Sequence, residues 1–166
     1  MREQSDLRAR KFASPVGDLT VVASDLGVRA VLWASETNGR VRGVDGAFGV
    51  AEGEDDIVDR TVSQLDEYFT GRRREFDLPL DPRGTDFQLA AWAVLRTIPF
   101  GSTMTYAEQA TALGDVNKAR AVGSANARNP IGIIVPCHRV VGSGGALTGF
   151  AGGIEAKRLL LGLEAR

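Results

Sequence analysis

At residue 84 the period of the hydrophobic pattern changes, and that change limits the folds open to this 166-residue chain. Before Asp81-Pro82-Arg83-Gly84 the pattern is strands followed by one helix; after it the pattern is mostly helical. Pro, Gly and charge at the junction read as a boundary between two small domains, 1–83 and 84–166. Strands segregated from helices in this way predict an α+β chain.

Ser14-Pro15-Val16-Gly17-Asp18-Leu19 is turn chemistry between two β-rich runs, Lys11–Ala13 and Leu19–Ala23. Asp25-Leu26-Gly27 predicts a second hairpin turn, leading into Val28–Trp33. Thr37–Glu54, rich in Gly and charge without periodicity, reads as a loop. Ile57, Thr61, Leu65 and Tyr68 recur at helical spacing, and Gly71 closes that helix. The first domain is therefore an antiparallel sheet with a helix.

In the second domain, Thr85 or Asp86 can cap a helix carrying Phe87, Ala91, Val94 and Ile98 on one face, stopped by Pro99. Thr105-Tyr106-Ala107-Glu108 matches a capping box, so a helix should run to about Leu113. The turn Gly114-Asp115-Val116 and a helix over Asn117–Ala127 complete a helix-turn-helix, a pairing that also occurs as a plain packing unit. Ala119, Ala121, Gly123, Ser124 and Ala125 have almost no bulk, with Lys118, Arg120 and Arg128 interspersed. Reading base edges in the major groove needs long polar side chains. This helix suits close approach to a surface, a neighbouring helix or a minor groove, with one Arg projecting. Ile131–Val135 reads as a buried strand ending at Pro136-Cys137-His138-Arg139, with Val140-Val141 continuing it. Ile154–Glu164 is the last helix.

Composition removes several function classes. Cys137 is the only cysteine and His138 the only histidine, so no internal disulfide is possible and a structural zinc site would need carboxylate help. No metal and no cofactor is expected. No apolar run approaches a membrane span, and the first residues lack a signal's apolar core, so a cytoplasmic location is expected. Residues 1–83 carry 12 Lys/Arg against 16 Asp/Glu, while residues 84–166 carry 8 against 5. The second half is thus mildly basic, which permits phosphate contact without demanding it.

A cysteine after proline at a strand end has a fixed backbone, and an adjacent His points to thiolate activation. Neighbours in extended structure face opposite ways, so Cys137 and His138 should meet through a water, with a carboxylate orienting the ring. An acyl-transfer hydrolase needs its imidazole on the nucleophile itself, which disfavours that class. A single nucleophilic displacement remains compatible.

The blocks Phe87-Gln88-x-x-Ala91-Trp92, Ile98-Pro99-Phe100-Gly101, Tyr106, Arg120-Ala121-Val122-Gly123, Asn129-Pro130, Pro136-Cys137-His138-Arg139-Val140, Gly152-Gly153 and Lys157-x-x-Leu160 closely resemble the O6-alkylguanine-DNA alkyltransferases. The likeness runs unbroken over about residues 84–164; in the first half it is confined to Ser14-Pro15-x-Gly17-x-Leu19 and the strand–helix order. The resemblance implies a ribonuclease-H-like N-terminal domain and a C-terminal winged helix-turn-helix domain that carries the active-site cysteine. It implies direct, irreversible, single-use repair of O6-alkylguanine in duplex DNA, with O4-methylthymine as a lesser substrate.

By the same resemblance Cys137 is the alkyl acceptor, and His138, through water, with Glu164 forms the deprotonating relay. Asn129 ties the turn before the active site, and Tyr106 donates to guanine N3. Arg120 fills the gap left by the flipped nucleotide. Lys118, Ser124, Arg128 and Thr105 are the further DNA contacts, while Val140, Phe150 and Ala151 frame the base. The partner implied is alkylated double-stranded DNA, bound by a monomer and open to cooperative assembly. Phe150 stands where the family usually has Tyr, which loses a hydroxyl and keeps a ring, and Val116-Asn117 replaces a commoner Pro-containing turn. The family's non-catalytic relatives lack the cysteine that is present here, and a methyl-sensing regulator would need an additional cysteine-rich metal domain.

Overall fold

The computed structural model describes residues 7–34 and 55–166, so the loop expected over Thr37–Glu54 lies outside the described residues. The chain divides into two compact units, Met1–Arg83 and Gly84–Arg166.

In the first unit, β1 (Arg8–Ser14), β2 (Gly17–Ala23) and β3 (Val28–Trp33) form an antiparallel sheet in that order. The hairpin register, Ser14 opposite Gly17 and Arg8 opposite Ala23, makes both strands longer than their apolar runs. Every residue of β3 is buried, Arg29 included. A buried guanidinium needs partners. Asp81 supplies one, with Oδ2 2.8 Å from Nη2, and also accepts from Ser24 Oγ at 2.6 Å. The backbone beside Asp81 flanks β3: Val28 N donates to Pro79 O and Asp81 N to Val28 O. The helix α1 (Asp56–Phe69), capped by Asp55, buries Val58, Leu65 and Tyr68, and its Phe69 ring stacks on Phe12 of β1.

In the second unit, α2 (Asp86–Leu95) starts at a capping box between Thr85 and Gln88. It ends three residues short of Ile98, in tighter turns from Thr97 N to Val94 O and Ile98 N to Leu95 O. Pro99 disfavours helical backbone at the residue before it, which accounts for the early stop. The two-residue β4 (Met104–Thr105) leads into α3 (Tyr106–Ala112), whose capping box pairs Thr105 with Glu108. A 3₁₀ turn over Val116–Lys118, held by the Asp115 carboxylate on Asn117 N, precedes α4 (Ala119–Ala127). The helix expected from Asn117 therefore starts at Ala119, because that cap closes a tighter turn first. Trp92 Nε1 donates to Ala125 O at 2.8 Å, joining α2 to α4. Gln109 and Asn126 exchange amide hydrogen bonds across α3 and α4, and Gln109 also donates to Ala91 O. This buried polar network fixes the helix-turn-helix. Among the described residues no helix is long and apolar enough to cross a membrane.

Ile131–Val135 corrects the sequence reading: the run is buried but is not a strand. Ile134 N reaches back to Gly132 O at 2.8 Å and Val135 N to Ile131 O at 2.9 Å. Ile133 sits at φ 73°, the γ-turn with positive central φ, which is rare and strained in a β-branched residue. Asn129 enforces the curl: Ile131 N donates to its Oδ1 at 3.0 Å, and its Nδ2 donates to Val135 O at 2.8 Å. The β-branched content is evidence of burial here and not of an extended strand.

Candidate active site

The curl feeds directly into the motif. Pro136, at φ −82° and ψ 66°, forms an inverse γ-turn that brings Cys137 N to Val135 O at 2.8 Å. Cys137–Arg139 is then a 3₁₀ turn, not the strand end expected, and Val140–Val141 is the short strand β5. Cys137 and His138 are therefore not on alternate faces of a strand. The His138 ring is committed elsewhere. Its Nε2 lies 2.7 Å from Glu164 Oε2, at the end of α5 (Ile154–Glu164).

Glu164 is shared between His138 and Arg139. Arg139 donates from Nε to Oε1 at 2.7 Å and from Nη2 to Oε2 at 3.0 Å, a bidentate pair. Its Nη1 donates to Ile98 O at 2.7 Å, and its guanidinium lies 5.7 Å from the centre of the Phe100 ring. His138, Arg139 and Glu164 are all buried. Burial holds the His138 pKa below its ordinary value; the hydrogen bond and charge of Glu164 push the other way and are outweighed. The ring's other nitrogen, Nδ1, is buried with no hydrogen-bond partner among the described residues.

Lys157 of α5 is 1% exposed, and that burial depresses its pKa against the opposing field of Cys137. The cysteine is therefore flanked by a buried imidazole on one side of the sequence motif and feels a buried ammonium from α5. The motif's Arg139 and Lys157 were legible as residues of the pattern, but composition and spacing gave neither a role.

β4 and β5 pair in parallel, with Met104 opposite Val140 and Thr105 opposite Val141. That register sets the start of α3, and so Tyr106, beside the strand that leaves the cysteine turn. Tyr106 Oη is 2.7 Å from Thr148 Oγ1, a residue the sequence reading left out. Val140 is fully buried, while Phe150 and Ala151 are half-buried in the segment before α5.

Arg120, Ser124 and Arg128 recur every fourth residue along α4, and all three are exposed. Neither Arg120 nor Arg128 has an ion-pair partner among the described residues. Lys118 instead leans over the Phe87 ring, 5.8 Å from its centre. Thr105 is occupied: its Oγ1 accepts from Glu108 N and its own N donates to Glu108 Oε1. Three of the five expected DNA-contact residues therefore form one surface stripe, and two are engaged locally. Among the described residues no group of three or more His, Cys, Asp or Glu could hold a metal.

Comparison with known proteins decides the family. The model of the 6-O-methylguanine DNA methyltransferase DNA-binding domain matches residues 86–166, and that of the ribonuclease-like domain matches residues 7–82. The chain belongs to this methyltransferase family. It is 58% identical over 103 residues to the methylated-DNA–protein-cysteine methyltransferase of Mycobacterium tuberculosis, 62% of each chain. With the enzyme of that name from Methanosarcina acetivorans it shares 41% identity over 153 residues, 92% of this chain and 95% of the relative. The crystal structure of Mycobacterium tuberculosis O6-methylguanine methyltransferase superposes with a TM-score of 0.83 at 42% identity, covering 96% of this chain and 93% of that one. The structure of the same organism's OGT in complex with DNA matches with a TM-score of 0.83 at 43% identity, over 95% and 92% of the two chains. The family's mixed architecture, a ribonuclease-like domain followed by a DNA-binding domain, is the architecture of this chain.

Proposed function

We propose that this methyltransferase-family chain repairs alkylated DNA by moving the alkyl group from O6 of guanine to Cys137 Sγ. The observation that carries the reading is the cysteine's placement. It stands on a rigid turn of the family's DNA-binding domain, next to a buried His138–Glu164–Arg139 network with one imidazole nitrogen still unengaged.

In this reading a water between Sγ and His138 Nδ1 relays the thiol proton to that nitrogen, and Glu164 holds the ring by Nε2. The thiolate then attacks the alkyl carbon: the S–C bond forms, the C–O6 bond breaks, and the electron pair leaves with guanine. A donor at the departing base offsets that charge. Tyr106 fills the role at N3, while Lys157 favours the thiolate by its field. No redox partner or cofactor enters the balance, and the thioether has no hydrolytic exit, so each molecule acts once.

The target carbon lies inside a base stack, so the nucleotide must be extruded, at a cost of about a few kcal/mol. The Arg120, Ser124 and Arg128 stripe is the surface that meets the duplex, with Arg120 entering the stack. Val140, Phe150 and Ala151 frame the base. O4-methylthymine is a lesser substrate, and the protein works as a cytoplasmic monomer that can assemble cooperatively on DNA.

Incubation with duplex DNA carrying one labelled O6-methylguanine tests the whole reading. The label should move to the peptide containing Cys137 and saturate at one per protein, with chelator present or absent. Cys137→Ser should bind the lesion and transfer nothing, since an alcohol is a far weaker nucleophile at neutral pH. Continued turnover, or label on another residue, overturns the proposal.

A further inference from the structure

Resting on the reading of Tyr106 as the donor to the departing base, we propose that Thr148 is a positioning residue: it donates into Tyr106 Oη and leaves the phenol proton turned to the base. The two hydroxyl oxygens are 2.7 Å apart, and either atom can be the donor by geometry alone. A hydroxyl has one proton and two acceptor lone pairs. If Tyr106 donated to Thr148, its proton would be spent inside the protein. With Thr148 as donor, Tyr106 accepts from one side and offers its proton on the other, and a chain of hydroxyls donating in one direction strengthens each bond in it.

Each side chain packs beside a glycine. The Thr148 methyl, Cγ2, lies against Gly142, where a Cβ would stand 3.5 Å away, so the hydroxyl takes the direction toward Tyr106. Gly142 N also donates to Ala146 O at 2.7 Å, which closes the loop under Thr148. The Tyr106 ring lies over Gly123 of α4, where a Cβ would be 3.8 Å from Cδ1 and Cε1. The pair is open to solvent, as a donor that must later touch a base has to be.

Single-turnover transfer by the full chain, measured with Thr148→Val, Thr148→Ser, Tyr106→Phe and the Val/Phe double variant, tests this. The probe duplexes carry O6-methylguanine or its 3-deaza analogue, in which a C–H replaces the N3 acceptor. On O6-methylguanine, Thr148→Val should slow transfer about three- to tenfold, the worth of one neutral hydrogen bond, with duplex affinity unchanged. Serine should restore the rate, and the double variant should be no slower than Tyr106→Phe alone. On the 3-deaza lesion Thr148→Val should match the wild type. A valine variant as fast as wild type on O6-methylguanine, or equally slowed on both lesions, overturns the inference. A wild type that leaves the label on the DNA overturns the parent reading as well, and that result cannot be confused with a failure at Thr148 alone.

Discussion

His138 meets a carboxylate whose charge Arg139 already neutralises: Nε2 lies 2.7 Å from Glu164 Oε2, while the arginine grips both oxygens of the same group. With the imidazole neutral, the buried trio carries no net charge. Protonating it would add an unmatched cation in a site that also feels the Lys157 ammonium. The ring therefore stays neutral by default, which is the state a proton acceptor needs.

Stability should fall on mild acidification for that reason. The folded pKa of His138 lies below its ordinary value, about 6.5, so the unfolded chain binds a proton the folded chain resists. The stabilising contribution is full above about pH 6.5 and is lost as pH falls from there through the lower folded value, with a slope of at most about 1.4 kcal/mol per pH unit. His138 is the only histidine, so urea unfolding between pH 7.5 and 5.5 reads this group nearly alone. His138→Gln should flatten the profile; an equally steep profile in that variant would assign the slope elsewhere.

Arg139→Met should reverse the sign of that dependence. Removing the guanidinium leaves the buried Glu164 carboxylate without its bidentate partner, a loss of about 3–5 kcal/mol at pH 7.5. The carboxylate would then draw a proton onto His138, raising its folded pKa above the unfolded one. Stability gained as pH falls through that raised value, and fully present below about pH 6.5, against stability lost below about pH 6.5 in wild type, is the expected pair of unfolding profiles.

Sequence alone carried the helices of the second domain almost to their ends, because their boundaries are written in local chemistry. Thr105 with Glu108 is a capping box in the sequence and in the structure, and Thr85, one of the two residues able to cap α2, caps it in a box with Gln88. The same reading failed at Ile131–Val135, where burial and β-branching are shared by strands and by tight buried turns. Hydrogen bonds of Asn129 to residues two and six positions on, with the backbone bonds they hold in place, distinguish them. Glu164 was reachable only through a family resemblance, since 25 residues separate it from the Arg139 that holds it. Thr148 had no signal in composition or spacing; its relation to Tyr106 exists only once the loop is folded.

Asn129→Ala tests whether that side chain builds the cysteine turn. It would orphan the buried Ile131 N, at about 1–3 kcal/mol, and take one of two donors from Val135 O, which keeps Cys137 N. It would also free Ile133 from its strained φ, so the turn should relax in preference to unfolding. Amide exchange in the peptide spanning 131–139 should accelerate more than exchange in α2, and methyl transfer should slow with it. Uniform acceleration throughout the second unit would mean a general loss of stability and no specific part in the turn.

Arg120 decides between two uses of the α4 stripe. It is exposed, it has no ion-pair partner among the described residues, and its neighbours on the helix are small. A phosphate contact would act on all DNA alike, and removing it would lower the salt dependence of binding by about one ion. A side chain that fills the space of an extruded nucleotide acts only in proportion to how hard that nucleotide is to extrude, which is least for mismatched or single-stranded bases. Arg120→Ala should therefore slow single-turnover repair strongly in a well-paired duplex and less in a destabilised pair. In a single strand the defect should be smallest, because no stack needs filling. Arg128→Ala, one turn beyond Ser124 on the same stripe, provides the contrast: its defect should be the same on all three substrates and should shrink as salt rises. If Arg120→Ala shows that uniform pattern too, the whole stripe is a backbone-binding surface, and the nucleotide is extruded without help from α4.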